Sequence, residues 1–254
     1  METIQQIRTK LQDVTQEDFE RLASCYESDS RAGVQRLLQS ARRKRQAYES
    51  ELKRTEQMSA YERQYADEPF ICGIDEAGRG PLAGPVVAGA VILPQNHGIL
   101  YLNDSKQLSA KKREELYDII MERAVAVGVG VSSSERIDEI NILQATYEAM
   151  REAVGQLTVR PTLLLNDAVT IPDLSIRQIP IIHGDAKSVS IAAASIVAKV
   201  TRDRLMETYE SCYPGYEFAR NKGYGTAQHI DALRAKGPSP IHRRSFIGHF
   251  ISFN

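Results

Sequence analysis

Phe70-Ile71-Cys72-Gly73-Ile74-Asp75-Glu76-Ala77-Gly78-Arg79-Gly80-Pro81 is an apolar run that stops on two adjacent acids and then turns on two glycines. The part from Phe70 to Asp75 has the length and residue types of a short buried strand. Pro85 to Leu93 (PVVAGAVIL) reads as a second strand, with small residues that permit close packing. Further strands are expected at Leu100–Leu102, Ala126–Val131, Thr162–Leu165 and Gln178–Ile182. Ser109 is placed to cap a helix carrying Leu116, Ile119 and Ile120. Asn141–Leu157, Ser188–Tyr209 and Gln228–Ala235 also read as helices. Strands gathered early and then mixed with helices predict an α/β fold, a mixed sheet flanked by helices.

Upstream of Phe70 the texture changes. Residues 1–69 hold almost no Gly or Pro and many helix formers, so a helical N-terminal extension (1–69) is expected ahead of a main domain (70–254). Thr15-Gln16-Glu17-Asp18 resembles a capping box. Val34, Leu37, Leu38 and Ala41 follow the i, i+3, i+4, i+7 spacing of an amphipathic helix that can run on to Met58. Arg42-Arg43-Lys44-Arg45 reads either as a solvated helix face or as a phosphate contact. Over residues 1–69, 12 basic and 13 acidic residues nearly cancel, which argues against a simple polycation.

The whole chain of 254 residues has a formal net charge of −1, with 42% hydrophobic and 26% charged residues, an ordinary globular profile. Cys25, Cys72 and Cys212 are far apart and form neither a disulfide scaffold nor a Cys-type zinc site. The N-terminus lacks the apolar segment of a signal peptide, and the uncharged stretch Gly80–Asn103 is broken by prolines and polar residues. A cytoplasmic location without membrane contact, and a monomer, are the expectations.

Asp75-Glu76, Asp167 and Asp185 each follow an apolar strand-like run. Adjacent acids repel, and a divalent cation removes that cost. If the strands are neighbours, the four carboxylates converge on one sheet edge. Hard oxygen ligands select Mg²⁺ or Mn²⁺ over zinc. A pair of such ions can activate water and stabilise the leaving oxygen in phosphodiester hydrolysis. Read singly, an Asp after a strand is commonly a turn residue, and spacing alone leaves both readings open. The Gly78-Arg79-Gly80 turn is open in the same way. It is either a tight turn with a solvated Arg79 or a place where a ligand meets the backbone, where it could read a ribose 2′-OH.

Lys187 and Ser188 lie at an expected helix N-terminus, which attracts anions, although Ser188 can simply cap it. Ser195 and Lys199 share one helix face, for packing or for backbone binding. His183 reads as a loop or core residue beside Asp185. Phe218–Asn254 holds six basic side chains against Asp231, with Tyr216, Phe218 and Tyr224 close by, a pattern suited to nucleic acid.

Over about residues 70–246 the sequence resembles type 2 ribonuclease H, the ribonuclease HII family. The resemblance rests on the run from Gly73 to Val86, on Asp104-Ser105-Lys106 and on Leu164-Leu165-Asn166-Asp167-Ala168. It continues through Gly184–Ser188 and Ile191–Asp203, then Lys222-Gly223-Tyr224-Gly225-Thr226 and His242-Arg243-Arg244-Ser245-Phe246. It implies a ribonuclease H-like fold with a mixed five-stranded sheet, flanking helices and a helical C-terminal part. Asp75, Glu76, Asp167 and Asp185 then correspond to the catalytic and metal-binding acids. Asp185 is expected at the second metal or as a coupled proton carrier. Gly78, Arg79 and Gly80 would grip the ribose 2′-OH, Tyr224 would stack on the neighbouring deoxyribose, and Lys106 would meet a phosphate.

The implied activity is a two-metal endoribonuclease acting on RNA–DNA hybrids and 5′ of single ribonucleotides in duplex DNA, with 3′-OH and 5′-phosphate ends. Its implied roles are ribonucleotide and RNA-primer removal in DNA replication and repair. Type 3 ribonuclease H carries Asp-Glu-Ser-Gly-Lys-Gly where this chain has Asp75-Glu76-Ala77-Gly78-Arg79-Gly80, so type 2 is favoured. A DNA nuclease of similar fold, such as a junction resolvase, and a non-catalytic nucleic-acid-binding module are the alternatives. A replication-clamp contact through Phe246 and Phe250 is a further expectation.

Overall fold

In the computed structural model, residues 2–12 and 14–251 are described. Within them the chain forms two compact units, Met1–Glu56 and Gln57–Asn254. The first contains α1 (Ile4–Leu11), α2 (Gln16–Ser24) and most of α3 (Ala32–Met58). Thr3 and Gln6 form a capping box for α1, and Thr15 accepts from Asp18 N at the start of α2. The apolar stripe of α3 turns Val34 and Leu38 into a small core with Ile7, Leu11, Phe19 and Ala23. Part of the basic run is engaged internally. Arg42 reaches Glu27 at 2.6 Å, and Arg45 donates to Val14 O at 2.7 Å while lying 4.3 Å from the Phe19 ring centroid.

In the second unit, α4 (Ala60–Gln64) precedes β1 (Ile71–Ala77) and β2 (Val86–Ile92). Then come α5 (Ala110–Arg123), β3 (Ala126–Ser132), α6 (Ser134–Gly155), β4 (Leu163–Asp167), β5 (Arg177–Ile181) and α7 (Val189–Cys212). Three short helices follow: α8 (Phe218–Asn221), α9 (Ala227–Lys236) and α10 (Arg244–Ile247). The five strands form one mixed sheet in the order β3-β2-β1-β4-β5. β2 pairs antiparallel with β1 and β3, whereas β1, β4 and β5 run parallel.

Every residue of β2 is buried, because helices cover both faces. On one face α7 comes so close that a Cβ on Gly89 would stand 2.5 Å from Ala194 O; on the other, a Cβ on Gly130 would stand 1.9 Å from Ala149 O. Glycine in the strands and alanine in the helices therefore allow the layers to approach to backbone contact. The cores are Ile74, Val86, Ala88 and Leu164 with Ala145, Ala149 and Met150 on the α6 side. On the α7 side, Val91, Leu116 and Ile120 pack with Ala192–Ala194, Ile196 and Val197.

One expectation is corrected and one is extended. Leu100–Leu102 is not a strand: Tyr101 has φ 68°, which breaks the extended run, while Ile99 and Leu102 anchor the loop in the core. The helix expected from Asn141 is present, starting at a break at Asn141 itself (φ 68°, ψ 162°), and a further helical segment precedes it from Ser134, capped by Ser133. Asn141 Oδ1 accepts from Leu143 N at 3.0 Å and Gln144 N at 3.2 Å, so it caps the restarted helix.

Candidate active site

Three parallel strands deliver their C-terminal ends to one sheet edge, and the acids sit at those ends. Ile74 pairs with Asn166, and the next residues on β1 and β4 are Asp75 and Asp167. Asp167 shares the sheet face of Leu163 and Leu165, which pack on Ile191 of α7, and Asp75 shares the parity of Gly73, which backs onto Ser190. Ile181 of β5 pairs with Asp167, and the chain then turns through His183, at φ 56°. Gly184 N donates to Asp167 Oδ1 at 2.7 Å, and Asp185 follows at once in a 3₁₀ turn.

Asp75 and Asp185 are buried. Burial pushes the Asp75 carboxyl well above the usual carboxylate range; the charges of Glu76 and Asp167 add to this, and a hydrogen bond from Ser195 opposes it. Burial also raises Glu76, against the pull of Arg79, whose Nη1 lies 3.3 Å from Glu76 Oε1. Asp185 is raised by burial, then by Asp104 and Asp167, with Lys106 opposing. Burial pulls Lys106 down, but Asp104, Asp75 and Asp185 outweigh it and leave it raised. Among the described residues no three acids close into a coordination shell. The donor set is all hard oxygen, with Asp75 and Asp185 buried and Glu76 and Asp167 partly so, and its chemistry fits a divalent cation of the Mg²⁺ or Mn²⁺ kind.

The glycine turn lies beside these acids. Gly78 has φ +96°, and a Cβ there would stand 2.0 Å from Arg202 Nε. Two buried arginines hold the backbone around the turn. Arg243 donates to Gly78 O at 2.6 Å, Arg79 O at 2.8 Å and Gly84 O at 2.9 Å. Arg202 donates to Pro85 O and Lys222 O, each at 2.9 Å, and to Ala83 O at 3.2 Å. Glu76, the Gly78–Gly80 turn, Ser105, Lys106, Ile142, Lys199, Tyr224 and Phe246 line one open cleft of about 510 Å³. Tyr224 is half-exposed there, and a Cβ on Gly80 would be 4.0 Å from its Cε1.

The family model described as Ribonuclease HII matches residues 72–249, and that of the Ribonuclease HII N-terminal domain matches residues 3–66. The chain belongs to the ribonuclease HII family. It is 59% identical over 249 residues to the ribonuclease HII of Lachnoclostridium phytofermentans, covering 98% of each chain. It is 51% identical to that of Bacillus subtilis, covering 96% of each. The fold matches the ribonuclease H2 crystal structure of Pyrococcus horikoshii OT3 with a TM-score of 0.57 and 28% identity, over 69% of this chain and 93% of that one. It also matches the structure of the PCNA:RNase HII complex from Archaeoglobus fulgidus, with a TM-score of 0.57 and 26% identity, over 69% of this chain and 94% of that one. The ribonuclease H-like sheet expected from the sequence is thus present, and the protein is a nuclease of the ribonuclease HII family.

Ser195 is buried, 2.9 Å from Ser105 Oγ and within hydrogen-bonding reach of Asp75. Lys199 lines the cleft and donates to Asp203 Oδ1 at 2.7 Å. Ser188 is not brought to the cleft: it caps α7 and donates to Glu62 Oε1 at 2.6 Å. Lys187 Nζ donates to Ile182 O at 2.9 Å, and His183 is exposed. The basic C-terminal surface is corrected in part, because Arg243 is fully buried among carbonyls and Lys222 pairs with Glu207 at 2.7 Å. Phe246 lines the cleft and Phe250 packs near Leu82, Leu233 and Ile247. Sequence reasoning passed over Asp104 and Ser105, although both stand in the quoted Asp104-Ser105-Lys106 motif. It also passed over Ile142, which the break at Asn141 brings to the cleft, and the structural use of Arg202 and Arg243. No described helix is long and apolar enough to cross a membrane.

Proposed function

We propose that this protein is an endoribonuclease that cuts the RNA strand of RNA–DNA hybrids and cleaves 5′ of single ribonucleotides in duplex DNA. It leaves 3′-OH and 5′-phosphate ends and serves ribonucleotide and RNA-primer removal. The observation that carries this reading is that Glu76, next to Asp75 on β1, lines a cleft with the Gly78–Gly80 turn and Tyr224, while Asp167 ends the parallel neighbour β4 and Asp185 follows β5. Asp75, Glu76, Asp167 and Asp185 are the residues that would hold two divalent ions. When bound, such ions supply a water made nucleophilic at neutral pH and positive charge at the leaving 3′-oxygen.

The chain's own groups do the rest. Ser195 and the Glu76 N–H, 2.7 Å from Asp75 Oδ1, orient the Asp75 carboxylate; the Gly184 N–H orients Asp167. Lys106 and Lys199 stand in the cleft, where cations meet phosphates. Arg243 ties down the carbonyls of Gly78 and Arg79, leaving the turn's backbone fixed to read a 2′-OH, a group that DNA lacks. Tyr224 offers a ring face to the following deoxyribose. For the clamp, the Archaeoglobus fulgidus neighbour is a complex with PCNA, and the corresponding contact proposed here is at the C-terminal end near Phe246 and Phe250.

The test is cleavage of three labelled duplexes, all-DNA, single-ribonucleotide and continuous hybrid, with Mg²⁺ or Mn²⁺ and with chelator. Metal-dependent cutting of the last two alone supports the reading. Cutting of the all-DNA duplex points to a DNA nuclease, and binding without product points to a non-catalytic module.

A further inference from the structure

Behind Tyr224 two histidines from separate segments meet ring to ring. His229 of α9 and His242, just before α10, are both buried, with their Nε2 atoms 3.0 Å apart. A backbone amide settles where the protons lie. Ser239 N–H points at His242 Nδ1 at 2.9 Å, and an amide can only donate, so Nδ1 is the acceptor and Nε2 carries the hydrogen. His242 Nε2–H then donates to His229 Nε2, which leaves the His229 hydrogen on Nδ1. That nitrogen lies 2.9 Å from Tyr224 O and donates to it. Three bonds thus run in one direction, from Ser239 N to the carbonyl of the cleft tyrosine.

The other end of this chain is tied to the glycine turn. His242 forms a bridge with Ala83, and the next residue, Arg243, grips Gly78 O, Arg79 O and Gly84 O. On the near side, Leu82 N donates to Gly223 O at 2.8 Å. The two elements read as contacting a ribonucleotide and its neighbour therefore share one scaffold, and the histidine pair is its polar joint.

We propose that His229 and His242 are positioning residues that fix Tyr224 against the Gly78–Gly80 turn and thereby set the preference for an isolated ribonucleotide over a continuous hybrid. This rests on the reading of Tyr224 and the turn given above. A lone ribonucleotide offers one 2′-OH, so its recognition depends on turn and ring standing at the right separation. A continuous hybrid offers a 2′-OH in every register and tolerates a looser pair.

The joint is also intolerant of a second proton, since a 3.0 Å gap between two nitrogens holds one hydrogen. Tyr216 and Phe218 face the rings, with Tyr216 centred 5.0 Å from His242 and Phe218 centred 5.4 Å from His229. Ser239 faces His242 from the loop. The neighbouring cations are Lys236, 5.8 Å from the Tyr216 ring centroid, and Arg243, whose guanidinium is directed at the turn. Burial lowers both histidines, in keeping with two neutral rings.

Two measurements on the full chain test this. In ¹⁵N imidazole NMR at neutral pH, two of the five histidines should be slowly exchanging and neutral, one as the Nδ1–H and one as the Nε2–H form. Two Nε2–H forms, or an imidazolium at either site, would overturn the assignment. The second is a pair of substitutions. His229→Asn keeps a donor at the place of Nδ1; His229→Gln moves the amide to the place of Nε2 and abandons Tyr224. His229→Gln should lower kcat/KM on a single-ribonucleotide duplex about tenfold and on a continuous hybrid no more than about twofold, with His229→Asn, which keeps the bond to Tyr224 O but leaves His242 Nε2–H without its acceptor, falling between His229→Gln and wild type on the single-ribonucleotide duplex. Equal losses on both substrates, or a His229→Gln variant that matches wild type, would refute the positioning role. Tyr224→Ala is the control. If it cleaves the single-ribonucleotide duplex normally, the reading of Tyr224 fails; if it loses that activity while His229→Gln does not, only the present inference fails.

Discussion

The Gly78-Arg79-Gly80 turn contains two glycines that the structure gives different work, and alanine at each should separate architecture from ligand approach. At Gly78 the backbone has φ +96°, and a new methyl would stand 2.0 Å from Arg202 Nε and 2.7 Å from Pro85 O. An L-residue in left-handed backbone costs about 1–2 kcal/mol. Moving Arg202 off Pro85 O removes a charged hydrogen bond worth about 1.5–3 kcal/mol. Together Gly78→Ala should cost about 2.5–5 kcal/mol and lower the melting temperature of the catalytic unit by about 5–20 °C. At Gly80 the nearest atom is Tyr224 Cε1, 4.0 Å away. Gly80→Ala should therefore stay within about 0.5 kcal/mol of wild type. Its methyl stands in the cleft instead, and single-ribonucleotide cleavage should fall more than about tenfold. Thermal unfolding in chelator, followed by circular dichroism, and initial rates with Mn²⁺ read the two effects. A Gly78→Ala protein that melts like wild type, or a Gly80→Ala protein with full activity, refutes this division of labour.

Asp75→Asn should reduce cleavage by more than about a hundredfold, since losing even an outer partner of a metal ligand costs 10–100-fold. Its melting temperature in chelator should hold or rise, because a buried carboxylate beside two others is removed; a large fall would mean Asp75 is structural. Tyr224→Ala should lower single-ribonucleotide cleavage about tenfold, the worth of one stacking contact, with little change in melting because the ring is half-exposed. Asn141→Ala should cost about 1–3 kcal/mol in denaturant titration, since φ 68° with ψ 162° suits glycine alone, while Asn141→Gly should cost less. Burial lowers His242 to about 4, so the folded state resists a proton that the unfolded state takes up below about 6.5. This contribution is intact above about pH 6.5 and is lost as the pH falls toward 4; His242→Gln should reduce the loss over that window by about 3 kcal/mol. Parallel pH–stability curves for the two proteins would count against it.

Much of the fold is legible because apolar runs, small residues and turn signals agree along the chain. Phe70–Asp75, Pro85–Leu93 and Thr162–Leu165 are short apolar runs bounded by breakers, and each forms a strand displaced by no more than two residues at either end. Leu100–Leu102 has the same composition but Tyr101 is left-handed, a property set by how Ile99 and Leu102 dock and invisible in residue types. Two helix starts, by contrast, carry written signals that were passed over: the Thr3–Gln6 box before α1, and Ser133 with Glu135 before α6.

The acids at the strand ends are legible for a physical reason. A parallel sheet brings the carboxyl ends of its strands together, so acids that each close a strand come to the same sheet edge once the strands are neighbours. The supporting residues are not legible in this way. An arginine in a sequence reads as solvated charge, and nothing local separates Arg243, fully buried on three carbonyls, from Arg244 beside it. His229 and His242 likewise have no ligand spacing, because their partnership is made by tertiary contact.

The most direct test of the acid cluster is a crystal soaked in Mn²⁺ and measured at the manganese absorption edge. Anomalous density bounded by Asp75, Glu76, Asp167 and Asp185 is the predicted result, lost in Asp75→Asn crystals. Manganese bound elsewhere, or Asp167 and Asp185 turned away from an ion at Asp75, would contradict it.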